Sequence, residues 1–211
     1  MKRLLFLLLM STFSFYFYGE NSLSYFMQVG SATQLIANRK PFMILGGGLG
    51  NSSVYSVSKI ERIFPKLQQV GLNTVLIHAY LDLLEPKEGT FDFTLTDKVI
   101  DQTRKNDLKI VFLWFGIWEN RMCHYVPEWF KKEYKKYPRA YTKIGVPFEV
   151  ANALSDNVFN AESKVFSRWI SYITKIKKQE RTVIMIPIEN KIWMLEDRRD
   201  YMEITNELTV Q

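Results

Sequence analysis

Apolar residues along this chain fall into two alternating patterns: short unbroken runs, and longer stretches with helical spacing. The unbroken runs are Phe42-Met43-Ile44-Leu45 within Pro41 to Gly47, Asn73 to Ile77, Lys109 to Phe115, and Thr182 to Ile186. Their length and their β-branched and aromatic content predict buried strands. Between them, Ser58 is read as the cap of a helix reaching Val70, with Ile60, Ile63, Phe64, Leu67 and Val70 on one face. A second helix is predicted from Thr94 to Asn106, and a third from Asn160 to Lys178 carrying Val165, Phe166, Trp169, Ile170 and Ile173. Gly116 to Asp156 reads as a long aromatic loop. Strands that are apolar throughout, alternating with amphipathic helices, predict a parallel sheet that is covered on both faces or closed into a barrel. In such folds chemistry sits where strands end, here Gly46 to Ser53, His78 to Glu85, Phe115 to His124, and Glu189 to Trp193.

Composition narrows the class. With 211 residues, 47% hydrophobic and 24% charged, the chain has material for one domain with a real core. Of the +6 net charge, a local share lies at Lys131, Lys132, Lys135, Lys136 and Arg139. That run reads as the solvated face of a helix, and without an accompanying motif no nucleic-acid partner is expected. Cys123 is the single cysteine, which excludes an intrachain disulfide. His78 and His124 have no partners at ligand spacing, so no metal is expected. Gly46-Gly47-Gly48-Leu49-Gly50 lacks the Lys-Ser/Thr of a phosphate loop, and no cofactor is expected. At the N-terminus, Lys2 and Arg3 precede Leu4 to Met10, the layout of a signal peptide over residues 1–24. The apolar stretch ends near Tyr18, short of the roughly 20 residues that span a bilayer. Export to the periplasm or the medium is therefore expected, with no stable membrane anchor.

One string is more specific. Glu85-Pro86-Lys87-Glu88-Gly89-Thr90-Phe91-Asp92-Phe93 is a loop by its chemistry: Pro86 fixes a backbone angle, Gly89 permits a turn, and Phe91 and Phe93 can pin the loop to the fold. It follows Gly71-Leu72-Asn73-Thr74-Val75. Arg39 to Gly47, Asn51-Ser52-Ser53, Leu113 to Asn120, and Val183 to Leu195 add further matches in order and spacing. Together, from Asn38 to Asp200, the chain resembles glycoside hydrolase family 35, the β-galactosidase family, in its exported bacterial branch. The resemblance implies an α/β fold, the first four β/α units of a (β/α)8 barrel over residues 25–211, since a whole barrel takes about 250 residues. It implies a galactoside or other oligosaccharide as substrate. It also implies a retaining mechanism, in which one carboxyl protonates the leaving oxygen and a second, roughly 5–5.5 Å away, attacks the anomeric carbon.

The resemblance places the proton donor in an Asn-Glu pair at the end of the fourth strand. Here Asn190 matches, where its amide would bond a sugar hydroxyl, but Lys191 stands at the position of the Glu. An ammonium titrates at about 10.4, far from the range of a poised acid. Glu189 shares a strand face with Lys191 and is expected to pair with it. No counterpart of the attacking carboxylate occurs before Gln211. Gly48 and Gly50 stand where the branch carries Glu and His, Leu81 where it carries Trp, Pro187 where it carries Gln, and Trp193 where it carries Gly. Trp118 is the expected sugar-stacking ring, with Trp114, Trp129 and Tyr125 as further candidates, and Asn51 a polar contact. The expectation is a truncated, catalytically impaired β-galactosidase-like hydrolase; the alternatives are a non-catalytic carbohydrate-binding remnant and a product of an interrupted gene without function. Half a barrel would leave its first and fourth strands as edges, which a homodimer would pair.

Overall fold

The computed structural model describes residues 24–50, 52–114, 116–117, 125–177, 181–188 and 200–209. The predicted leader lies almost wholly outside them. Among the described residues no helix is long and apolar enough to cross a membrane.

The first described element is one the sequence reading did not contain. Strands β1 (Tyr25–Val29), β2 (Ala32–Ala37) and β3 (Lys40–Pro41) form a small antiparallel sheet. The second of its turns runs through Asn38 and Arg39, both with left-handed φ of 51° and 63°. Two consecutive positive φ values are the signature of the tight hairpin turn whose twist matches its strands. Arg39 stands where glycine usually signals such a turn, so the hairpin has a weak local signal.

The main sheet has β4 (Gly46–Gly48), β5 (Thr74–Ala79), β6 (Lys109–Trp114) and β9 (Val183–Met185) in the order β4-β5-β6-β9, all parallel. The four predicted strands thus lie side by side in chain order. The first is displaced, because its ladder falls on the glycines rather than on Phe42 to Leu45. Asn73 takes up the preceding backbone instead: its Oδ1 accepts from Leu45 N at 2.9 Å and its Nδ2 donates to Met43 O at 2.9 Å. The fourth strand slips by one residue, Ile110 facing Val183 but Val111 facing Met185, so β9 carries a bulge at Ile184. Pro187 has no N–H to offer a ladder and β9 stops at Met185, yet the Pro187 carbonyl accepts from Trp114 N at 3.2 Å. One residue on, Ile188 forms a parallel bridge with Trp114.

Among the described residues six helices accompany the strands: α1 (Val57–Gln69), α2 (Leu81–Leu84), α3 (Thr94–Lys105), α4 (Glu128–Lys132), α5 (Asp156–Lys177) and α6 (Glu203–Thr209). Helix α1 starts one residue before the predicted cap: Ser56, not Ser58, is the N-cap, and it makes no side-chain capping bond. Gly71, at φ 82°, ends the helix in the left-handed conformation that suits glycine. The predicted aromatic loop contains α4 and an antiparallel hairpin, β7 (Arg139–Tyr141) with β8 (Pro147–Ala151). The basic run is accordingly no single helix face. Lys132 pairs with Glu128 at 2.6 Å, Lys136 with Glu88 at 2.7 Å, and Arg139 with Glu149 at 3.4 Å. Asp200 fastens the last described segment to this hairpin. It accepts from Tyr141 N at 2.8 Å and Met202 N at 2.9 Å, and also bonds Asn152 and Thr205.

Both faces of the sheet are covered, as apolar strands require. Val75, Ile77, Ile110, Phe112 and Trp114 share one cluster with Ile60 and Phe64 of α1, Val99 and Ile100 of α3, and Val165, Trp169 and Ile173 of α5. On the opposite face, Leu76, Val111, Leu113, Ile184 and Met185 pack with Leu35, Ala37 and Phe42 from the N-terminal hairpin. Strands β4 and β9 end the sheet order among the described residues, and Met43, Leu45 and Ile188 nearby are exposed by 77%, 52% and 62%.

Trp169 joins three layers. It is fully buried, stacks on Trp114 at 5.6 Å, meets Phe112 edge-on at 5.1 Å, and donates Nε1 to Thr96 Oγ1 at 3.0 Å. Trp169→Ala is expected to cost about 3–5 kcal/mol in equilibrium denaturation, a large part of the 5–15 kcal/mol typical of a domain. A loss below about 1 kcal/mol would show that α5 does not depend on this contact.

Candidate active site

The carboxyl ends of the four parallel strands open onto one edge. The turn 52–56 follows β4, Tyr80 and α2 follow β5, Gly116 and Ile117 follow β6 with Tyr125 further along the same connection, and Ile188 lies beyond β9. The candidates Asn51, Trp118, Glu189, Asn190 and Lys191 lie outside the described residues, as do Trp193 and His124. What the structure describes is the frame that carries those positions.

Of the aromatic candidates, two are structural. Trp114 is 1% exposed, its Nε1 donating to Glu162 Oε1 at 2.8 Å. Trp129 donates Nε1 to the Glu85 carbonyl at 2.9 Å and packs on Phe130 and Tyr137. Trp114 offers no free face to a sugar, and Trp129 is partly buried. Tyr125 does belong to the rim, with its hydroxyl 2.9 Å from Ser52 Oγ.

The Glu-Pro string forms a braced turn. Glu85 is completely buried, and its Oε1 accepts from Gly89 N at 2.7 Å and from Lys164 Nζ of α5 at 2.9 Å. Gly89 adopts φ 80°. Phe91 stacks on Phe93 at 6.2 Å, and Phe93 reaches Tyr172 of α5 at 4.4 Å. Asp92 then accepts from Thr94 N at 2.9 Å at the start of α3, and hydrogen bonding from the Thr94 side chain first, then from its N–H, holds the Asp92 carboxyl below the usual range. The string is therefore a mechanical device that sets the path from β5 into α3.

A cluster that the sequence reading did not assemble lies at the ends of β4, β5 and β6. Tyr55 donates its hydroxyl to Asp82 Oδ2. The rings of Tyr55 and Tyr80 meet edge-on at 4.7 Å, and Tyr80 and Tyr125 at 5.1 Å. Burial raises the Asp82 carboxyl above its ordinary value, opposed by the Tyr55 hydrogen bond. Burial also pushes the Tyr55 phenol well above the usual tyrosine range, with the bond to Asp82 adding to it. His78 is buried, its ring 6.1 Å from that of Tyr80. Behind Tyr80, a cavity of about 20 Å³ reaches Phe112 and Trp169 and is too small for a pyranose. Among the described residues no group of His, Cys, Asp or Glu is arranged to hold a metal ion.

Residues 53–203 match the model of glycoside hydrolase family 42, described as beta-galactosidase. The chain belongs to this family. The resemblance to family 35 is thus corrected at the level of the family, while the β-galactosidase-type hydrolase domain stands. The reason is visible in the motifs: the Glu85-Pro86 turn braces the connection from β5 into α3, and such a brace marks the scaffold rather than one family on it. No curated protein matches the chain. Among solved structures, the chain is similar to a β-galactosidase from Halorubrum lacusprofundi, with 20% identity and a TM-score of 0.60 over 77% of this chain and 23% of that one. The exo-β-1,4-mannosidase Op5Man5 from Opitutaceae bacterium strain TAV5 aligns with 17% identity and a TM-score of 0.57, over 80% of this chain and 29% of that one. A cold-adapted β-galactosidase from Rahnella sp. R3 aligns with 15% identity and a TM-score of 0.58, over 80% and 24%. At these identities the likeness is one of fold. The chain spans about a quarter of the length of these structures, and its parallel β/α sheet agrees with part of a glycoside hydrolase barrel.

In this family 42 domain, Glu85→Ala leaves Gly89 N without its acceptor and Lys164 without its buried partner. Because Lys164 is 46% exposed and can turn to water, the expected loss is about 1–3 kcal/mol in urea denaturation. Glu85→Gln keeps an acceptor for Gly89 and is expected to lose less. Equal losses in both variants would mean that the charge, and not the turn bond, matters.

Proposed function

We propose that this domain receives a galactoside at the carboxyl edge of its sheet, and that Lys191, in the place of a proton-donating Glu, impairs hydrolysis. The observation that carries the reading is the parallel bridge between Trp114 and Ile188. It holds the chain at the end of the fourth parallel strand directly before Glu189-Asn190-Lys191 in the sequence, where a barrel hydrolase bears its acid. The description of the matched family supports a galactoside as the substrate class. A lysine ammonium does not donate a proton near neutrality as a raised carboxylic acid does. Asn190 and the rim aromatics leave sugar binding intact under this reading. Purified protein is expected to release no nitrophenol from a nitrophenyl β-galactoside above the buffer rate, while calorimetry with galactose gives saturable heat. Turnover that Lys191→Ala abolishes would overturn the claim about Lys191, and absence of any binding heat would overturn the claim about the sugar.

Lys2-Arg3 followed by Leu4 to Met10 supports export as the location. The exposed Met43, Leu45 and Ile188 at the ends of the sheet support pairing of those edges between two copies of the chain. Sedimentation velocity is expected to give a dimer, and a monomer throughout the micromolar range would reject that pairing.

A further inference from the structure

Asp82 stands where three connections meet. It is the second residue of α2, directly after β5. Its Oδ2 accepts from the hydroxyl of Tyr55, in the turn after β4. Its backbone N–H donates to the carbonyl of Tyr125, in the connection after β6, at 2.8 Å. Tyr125 Oη lies 2.9 Å from Ser52 Oγ, so the turn is held from that side as well. Between Ser52 and Tyr55, Val54 is 1% exposed and joins Tyr80 in the helix-side cluster. Closing the turn 52–56 therefore buries an apolar side chain and a carboxyl group together.

These two burials respond differently to protons. Burying Val54 is favourable at any pH. Asp82 differs, because its Oδ1 is enclosed with no hydrogen-bond partner among the described residues. An ionised carboxylate offers about four acceptor sites and opposes burial wherever one finds no donor. A neutral carboxyl in the same place opposes it far less, and its carbonyl oxygen still accepts from Tyr55. Around Asp82 stand Tyr55 in the turn, Tyr80 after β5, Tyr125 after β6 and the Lys131 ammonium on α4. His78 lies one ring further, 6.1 Å from Tyr80, and on α5 Lys164 is engaged with Glu85 at 2.9 Å. Burial raises the Asp82 carboxyl above its ordinary value. The Tyr55 hydrogen bond, the Leu83 N–H and the Lys131 charge oppose that shift without cancelling it.

We propose that the turn 52–56 is a proton-operated clasp: it closes most firmly with the Asp82 carboxyl neutral and loosens when that carboxyl ionises. The sign follows from burial. The closed turn binds the Asp82 proton more tightly than the open one, in which water reaches the acid. Closure is thus strongest below the ordinary aspartate range and weakens as the pH rises through the higher value of the closed form. Val54 and the Ser52–Tyr125 bond still hold the turn after ionisation, so the response is a graded loosening rather than release. Strands β5 and β6 beneath contain no carboxyl and keep their ladder.

Hydrogen exchange on the full chain, followed across the acidic and neutral range and corrected for intrinsic rates, tests this. The reporting amides are Ser53 and Tyr55, which donate to Gly50 O at 3.0 Å and Ser52 O at 3.4 Å. Their protection is expected to fall as the pH rises, by at most about tenfold per pH unit, the limit for one proton, and then to level off. Amides of β5 and β6 are expected to show no such step. Asp82→Asn, neutral at every pH, is expected to remove the step and keep Ser53 and Tyr55 at their low-pH protection throughout. Tyr55→Phe deletes a donor that favours the ionised acid, so its step is expected at higher pH. In the unmodified protein, NMR of the Asp82 carboxyl carbon is expected to titrate over the same range as the step, which decides the matter even if a variant fails to fold. A flat profile, protection that rises with pH, an equal step in β5 and β6, or a step retained in Asp82→Asn would each overturn the proposal. So would a Tyr55→Phe step at lower pH, or a carboxyl titration displaced from the step.

Discussion

The register between β5 and β6 carries the rest of the molecule. Thr74 lies opposite Lys109 and the pairing runs without interruption to Ala79 opposite Trp114. These are the strands with most residues buried, and their alternate side chains enter two different clusters, one under the helices and one under the N-terminal hairpin. A slip of one residue in β6 would exchange its two sets and place Val111 and Leu113 under α1 and α3. Two clusters of different composition therefore act together as a lock on one alignment. The connections at the carboxyl edge inherit their relative heights from it.

Polar groups inside this frame serve mainly to hold connections. Glu85 braces the turn into α3, Asp200 fastens the final segment to the β7–β8 hairpin, and Asn73 replaces a ladder for the backbone before β4. Each accepts from backbone N–H groups that would otherwise be left unpaired at the ends of regular elements. A Glu or Asp in a conserved-looking string is easily mistaken for a chemical group. Among the described residues the two carboxylates most deeply enclosed, Glu85 and Asp200, are tied up in such bonds.

How much of this was legible in the sequence depended on the range of the forces involved. Strands β5 and β6 and helices α3 and α5 come out close to their predicted bounds, because their side-chain period is strong and local. Strand β4 did not: the apolar run Phe42 to Leu45 suggested a strand where Asn73, some thirty residues away, captures the backbone instead. Strand β1 is exposed along its whole length and so has no inward–outward alternation to read. The β7–β8 hairpin is anchored by Asp200, a partner 59 positions from Tyr141. At the site, local spacing pointed to strand ends and hence to the carboxyl edge of the sheet. It did not bring Ser52 to Tyr125, 73 positions on, nor Tyr55 to Asp82. Contacts of that kind depend on the sheet already being assembled.

The supernumerary residue in β9 has an effect on phase. Ile184 and Met185 both turn toward the hairpin side, whereas Val183 and Ile186 belong with the helix-side cluster. Inward and outward assignments counted forward from Val183 therefore invert when counted back from Ile186. Excising a single residue from this segment would leave its hydrophobic content almost unaltered, yet it would rotate everything beyond by half a turn about the strand axis. In that fourth strand, parity rather than identity governs which layer a side chain enters.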